Sequence, residues 1–307
     1  MYDSVKLWDP LITPFEHNRI LSRLENVRKE YIPSTGEINY RGQLSNLRVR
    51  IYSNKLSIEG SWPKYIRGNN LHSLSTQKIK TAIEKLSDEL GMSIENAIVS
   101  RVEIAETFTM SYPISYYISY LGSLKYCKRT AFGKGLMYLN KQKALTFYDK
   151  IEEMIQNKQI IPKELTKENL LRYELKLNKK VSRQLKLATI TTNMLCKKEL
   201  FDKFIEKWQK EYFSIHRINK PVVHSIEIIR NTRHLINFLA INGLQYIGYI
   251  DTLNMLDSFK RNLSKIQLHR LKKKIKELVQ NKHFTEPSEL IVELDQKVKN
   301  TALSYLG

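Results

Sequence analysis

The chain has 307 residues, enough for two ordinary domains, and carries 51 Lys and Arg against 31 Asp and Glu, a formal net charge of +20. With 42% hydrophobic and 10% aromatic residues it is not a disordered chain, and its charge favours a polyanionic partner through counterion release, nucleic acid ahead of an anionic membrane surface. No uncharged apolar run approaches the roughly 18 residues of a membrane span, and the two cysteines, Cys127 and Cys196, exclude a disulfide framework or thiolate zinc site and fit a reducing cytoplasm.

The first 45 residues carry mixed signals. Met1-Tyr-Asp-Ser-Val-Lys-Leu-Trp-Asp9 brings acids early and lacks an apolar leader core, and Pro33-Ser-Thr-Gly36 marks a turn. Strands are predicted at 47–52 and 55–59, joined across Ser53-Asn54, with Leu56 and Ile58 facing one side and Ser57 and Glu59 the other. The stretch 60–70 is basic, aromatic and rich in breakers. Trp62, Lys64, Tyr65 and Arg67 within it are candidate DNA contacts, the two rings by stacking on single strands.

A helix over 76–90 follows from the stripe Ile79, Ala82, Ile83, Leu86 and Leu90, with Ser75 as N-cap and Gly91 as stop. A strand is predicted at 97–105, then a short helix over 114–121 opened by Pro113. For the tyrosines of that region (Tyr112, Tyr116, Tyr117 and Tyr120), helix packing is the ordinary use and base stacking the alternative. A hairpin joins 136–140 to 143–148 across Lys141-Gln142, and a polar segment with Pro162 leads into a strand at 171–177.

Strand and helix interleave up to about residue 185, which predicts an α+β domain over 1–185 with a largely antiparallel sheet, helices packed on one face, and its motifs within 45–180. A mainly helical region is expected over 186–307, with helices at 198–213, at 223–242 ending on Gly243, and at 264–280. In the last, the stripe Leu268, Leu271, Ile275 and Leu278 opposes a basic face that includes Arg270, Lys272, Lys273 and Lys274. A solvated surface is the plain account of that face; contact with a DNA backbone is the functional one.

Strand alternation sorts the chemistry-bearing residues. Ile98, Val102 and Ile104 point one way, Arg101 and Glu103 the other; Leu171, Tyr173, Leu175 and Leu177 oppose Arg172, Glu174 and Lys176; Leu145 and Phe147 oppose Thr146 and Tyr148. If these strands share a sheet, Glu59, Glu103, Tyr148 and Glu174 converge on one surface. Carboxylates in that number can hold one Mg²⁺ or Mn²⁺, hard cations that take oxygen ligands. A tyrosine beside them can attack a phosphodiester, and Lys150, Arg101 and Arg172 are candidates to stabilise the charge that develops.

The order of these segments resembles that of rolling-circle replication initiators. Ile58-Glu59 with Pro63-Lys64, then Arg101-Val-Glu-Ile-Ala105, then Phe147-Tyr-Asp-Lys150, then Leu171-Arg-Tyr-Glu-Leu175 is similar to the filamentous-phage gene II/X replication proteins and Rep_trans-type plasmid initiators. The resemblance implies Tyr148 as the nicking nucleophile and Glu103, Glu174 and Glu59 as metal ligands. It implies origin-specific nicking and rejoining of DNA through a covalent 5′-phosphotyrosine that leaves a 3′-OH primer. Glu103 stands where Asp is more usual, and the acid some plasmid relatives carry four residues on is Thr107 here; Glu106 is out of phase.

None of the seven histidines forms a His-hydrophobe-His pair, which disfavours the His-type nickases, and Gly133-Lys-Gly135 is no phosphate-binding ATPase loop. Motor function is therefore expected from a host helicase, in a bacterial cytoplasm, with no membrane partner; a homodimer is compatible. The alternative is a non-catalytic protein that binds single-stranded nucleic acid.

Overall fold

The computed structural model describes residues 1–9, 13–222 and 229–307. Strand β1 (Tyr2–Asp9) is followed by α1 (Pro14–Leu21), then by four strands in succession: β2 (Glu25–Ile32), β3 (Glu37–Leu44), β4 (Leu47–Ile51) and β5 (Leu56–Ser61). Helices α2 (Trp62–Arg67) and α3 (Thr76–Leu90) lead to the long β6 (Ile98–Met110) and the short α4 (Ile114–Ser119). Next come β7 (Lys128–Phe132), β8 (Gly135–Leu139), β9 (Lys143–Asp149), α5 (Lys150–Gln156), β10 (Asn169–Leu177) and α6 (Val181–Gln184). The remainder is α7 (Lys198–Phe213), β11 (Lys220–Pro221), α8 (Thr232–Ile247), α9 (Tyr249–Ser258), α10 (Lys265–Leu278), β12 (Thr285–Glu286) and α11 (Glu289–Leu306).

Ten strands form one antiparallel sheet in the order β2-β3-β4-β5-β1-β6-β10-β9-β8-β7. The α+β architecture read from the sequence is therefore present, but its central strand β1 comes from the N-terminal stretch that carried no clear signal. One face of the sheet presents Val5, Leu7, Val49, Ile58, Val102, Ile104, Leu145, Phe147, Tyr173 and Leu175, all buried. Those side chains and the apolar stripes of α3, α7 and α11 make one hydrophobic core. Burying each such side chain contributes about 1.5–3 kcal/mol. Tyr173 stacks between Phe147 and Trp208, with ring centroids 4.6 and 4.9 Å away, and donates to the Trp208 carbonyl. It belongs to the core.

Helix α3 has the predicted bounds, and its five stripe residues are its buried ones. Gly91 ends it at φ +70°, in the left-handed region that glycine enters without strain. Three predictions need correction. The stretch 60–70 is not an open loop: Trp62 and Pro63 begin α2, and Trp62, Pro63 and Tyr65 are buried. Val99, not Ile98, joins Val102 and Ile104 in the core, because β1 and β6 shift register between Lys6 and Leu7 and the Ser100 hydroxyl donates to the Lys6 carbonyl. The helix expected at 223–242 begins at Thr232, where the Asn231 side chain caps the His234 N–H, and it passes Gly243 to end at Ile247; residues 223–228 lie outside the described residues.

The helical stretch after residue 186 divides between two cores. Residues of α7 and α11 belong to the core under the sheet, whereas Leu244, Tyr249 and Val279 form a small separate cluster joined by Ile275 and Leu278. No helix among the described residues is long and apolar enough to cross a membrane.

Candidate active site

The other face of the sheet carries the polar side chains, and its register aligns them. Arg172 lies opposite Tyr148 on β9 and Thr107 on β6; Lys176 lies opposite Glu103. Strand β1 sits between β5 and β6, and here an irregularity decides the site. From Tyr2 to Val5 the strand advances three residues while β6 advances only two, from Ile104 to Val102. Tyr2 and Val5 both remain in the core, so the extra residue puts Asp3 on the polar side, beside Glu103.

Asp3, Glu103 and Glu174 are all buried and offer carboxylate oxygens within 4.8 Å of one another. Two oxygens bound to one ion at about 2.1–2.4 Å can lie at most about 4.2–4.8 Å apart. An all-carboxylate set of that spread fits one hard divalent cation. Asp3 was not among the residues expected from the sequence. Strict alternation groups it with Val5 and Leu7, and only the irregularity turns it to the polar side.

The surroundings hold the three acids under charge tension. Arg172 is fully buried; its Nη2 donates to Asp3 Oδ2 and its Nε to Glu174 Oε1, each at 2.8 Å, while Nη1 reaches the Asn70 carbonyl and Thr107. Lys176 pairs with Glu103 at 2.8 Å. Burial and then the neighbouring Glu174 charge push the Glu103 carboxyl well above the usual carboxylate range. Burial acts on Glu174 in the same sense, but Arg172 and the hydrogen bonds it receives outweigh that and pull it down.

Tyr148 is half-buried and donates its hydroxyl hydrogen to Glu174 Oε1 at 2.7 Å. Burial and then the Glu174 charge push its phenol far above the ordinary tyrosine range. A cavity of about 270 Å³ opens beside the ring, lined among others by Phe132, Lys134, Thr146 and Asp149. Asp149 ends β9 and caps α5 by accepting from the Ile151 and Glu152 N–H groups.

The remaining expected residues lie elsewhere or in other roles. Glu59 is outside the acidic triad: Arg48, Arg101 and Lys6 surround it at 2.7, 2.9 and 3.3 Å. Burial would raise its carboxyl, but that ring of cations, Arg101 foremost, holds it below the usual range. Arg101 is accordingly committed to Glu59. Lys150 starts α5 and is fully buried against Asn70 Oδ1 at 3.0 Å and Glu153 Oε2 at 2.5 Å, and the Asn70 carbonyl in turn accepts from Arg172.

Trp62 and Tyr65 pack in the core, so neither ring can stack on a base; Tyr65 donates to Glu89 on α3. Lys64 and Arg67 are half-buried on the same short helix. On α10, Arg270, Lys273 and Lys274 are exposed, while Lys272 is tied to Asp257 at 2.7 Å. Glu106 lies on the opposite, helical side and accepts from Tyr305 of α11.

The model of the family described as the N-terminal part of the phage replication-associated protein, the gene II replication protein, matches residues 1–206. No curated protein matches the sequence. Among solved structures, a rolling circle replication initiator protein from Geobacillus stearothermophilus is similar at 11% identity over 78% of this chain and 94% of its own, with a TM-score of 0.39.

Proposed function

Because this chain belongs to the gene II family of phage replication-associated proteins, which are rolling-circle replication initiators, we propose that it nicks and rejoins one DNA strand at its replicon's origin through Tyr148. The observation that carries this reading is the 2.7 Å hydrogen bond from the Tyr148 hydroxyl to Glu174, itself one of three clustered carboxylates. Asp3, Glu103 and Glu174 would hold a divalent cation, Mg²⁺ or Mn²⁺, whose positive charge lowers the cost of ionising the phenol and offsets charge gathering on the phosphate.

Tyr148 Oη, oriented by its hydrogen bond to Glu174, attacks the scissile phosphorus and gives up its proton to water. The bond from phosphorus to the 3′ oxygen breaks, the leaving oxygen takes a proton from water, and the 5′ phosphate stays on the tyrosine. Rejoining is the reverse, with a 3′-OH as the attacking group. Arg172 acts by position. Its guanidinium bridges Asp3 and Glu174, fixing the angle between two carboxylates, and being fully buried it does not face the phosphate.

The test uses a labelled single-stranded oligonucleotide carrying the cognate origin, with Mn²⁺, resolved on a denaturing gel. The expected result is a covalent protein–DNA adduct that Tyr148→Phe abolishes. Asp3→Asn and Glu174→Gln should each lower adduct formation by at least about 100-fold while oligonucleotide binding stays within a few-fold. Binding with no adduct at the cognate site would make the protein a non-catalytic DNA binder.

A further inference from the structure

The sheet's polar face continues away from Tyr148 into a second charged feature. Strands β2, β3 and β4 form a groove of about 590 Å³ lined by Arg28, Arg41, Arg48 and Arg50, by the amides Asn26 and Gln43, and by Val27, Gly42 and Val49. Among the described residues no acidic one lines it. The register sets Arg28 opposite Arg41 and Arg41 opposite Arg50, three arginines in one row across three strands. Arg41 also pairs with Glu30 and Arg48 with Glu59; no ion pair engages Arg28 or Arg50 among the described residues. An edge strand is often guarded by charge, but guarding needs charge on the edge alone, and three of these arginines lie on the two strands inside it.

We propose that this groove grips the duplex arm of the DNA that Tyr148 cuts, about one helical turn from the nick; the assignment rests on the nicking reading above. Two observations choose duplex. Among the described residues no aromatic ring lines the groove, whereas single-strand tracks use rings as stacking platforms. The polar side chains of the lining are guanidinium and amide groups, which match phosphate oxygens and base edges in a groove of the double helix.

The spacing follows from the sheet. Arg48 and Arg50 on β4 stand five strands from Tyr148 on β9, roughly 24 Å at about 4.8 Å per strand. The Arg48 row crosses β6 at Arg101 and the Tyr148 row crosses it at Thr107, a further offset of roughly 20 Å at about 3.3 Å per residue. The diagonal is roughly 30 Å, and the outer arginines lie farther. One duplex turn is about 34–36 Å.

The test measures binding by the full chain, with chelator present so that no cleavage intervenes, to a duplex joined to a short single-stranded tail. The duplex arm is about 8 or about 20 bp, the lengths that stop short of or pass one turn. The wild-type protein should gain at least tenfold in affinity from the longer arm. Arg28→Ala/Arg50→Ala should lose that gain, and its slope of log K against log salt should be shallower by about 1.8, or 0.9 per lost phosphate contact.

The variant should still form the wild-type level of covalent adduct on a purely single-stranded origin oligonucleotide, which shows that it is folded. An undiminished arm-length gain with an unchanged salt slope would overturn the proposal. So would tighter binding of a single-stranded arm than of a duplex arm of equal length. Absence of any adduct from the wild-type protein would instead sink the nicking reading, while the arm-length and salt results still decide the groove.

Discussion

Arg172 has no exposed surface and holds two acids that are themselves buried, so its removal leaves Asp3 and Glu174 without their counter-charge. Arg172→Ala should therefore cost about 3–5 kcal/mol in urea unfolding, and Lys, which lacks the planar fork, should not restore it. Trp62 yields the opposite result from a DNA contact. Buried in the core, it should cost about 3–5 kcal/mol as Trp62→Ala, while the folded variant binds DNA as the wild type does. At this scale Glu103, Tyr148 and Glu174 were legible because strand phase assigns each to a polar face. Asp3 was not, because a register irregularity reverses its phase. Trp62 misled because ring and lysine neighbours look alike in a loop and in a short helix.

Among the elements, α3 and α7 could be read directly, since each carries an apolar stripe at helical spacing and the structure buries that stripe. Helix α11 was missed, yet Ile291, Leu294, Val298 and Ala302 enter the core beneath the sheet, and its Glu293 accepts from Tyr117 of α4 and from the Ser111 N–H. The sheet domain is thus completed by the last helix of the chain. Leu294→Ala should lower stability by about 2–5 kcal/mol in a single unfolding transition that also carries the sheet. Two separate transitions, with only the C-terminal one shifted, would show that α11 does not share that core. Strand β1 escaped notice for another reason. Flanked by β5 and β6, it needs Asp3, Ser4 and Lys6 to meet polar partners, and those partners arrive from distant parts of the chain.

At the level of the whole molecule, the sheet body and the small helical cluster meet at His216. Its backbone pairs with Gly122 and Ser123, and its ring lies against Tyr249 at 6.0 Å between centroids. A side chain at residue 122 would collide with that imidazole, which is why glycine stands there. Burial, helped by Lys276 and Arg217, pulls the imidazole down to about 4 from its ordinary 6.5. The unfolded chain therefore takes up a proton between pH 6.5 and about 4 that the folded chain refuses. The stability contribution is present above pH 6.5 and is lost as pH falls through that window, on the order of 2 kcal/mol. Thermal unfolding between pH 7 and 4.5 should show this loss, and His216→Leu should flatten it. The net charge of +20 acts at the same scale. Single-strand and duplex binding should both weaken steeply with salt, and Arg28→Ala/Arg50→Ala should reduce the slope only where a duplex arm is present.

By itself the sequence determined the α+β class, the apolar face of each central strand it revealed except at the start of β6, and the polar phase of Tyr148, Glu103 and Glu174. Local periodicity carries that information, because side chains alternate along a strand whatever lies beside it. Which acids meet was decided only by the tertiary structure. Strand order placed β1 between β5 and β6, the added residue in β1 turned Asp3 toward Glu103, and Arg48, Arg101 and Lys6 occupied Glu59. Pairing and register join residues up to 171 positions apart, from Asp3 to Glu174, and no local pattern encodes them.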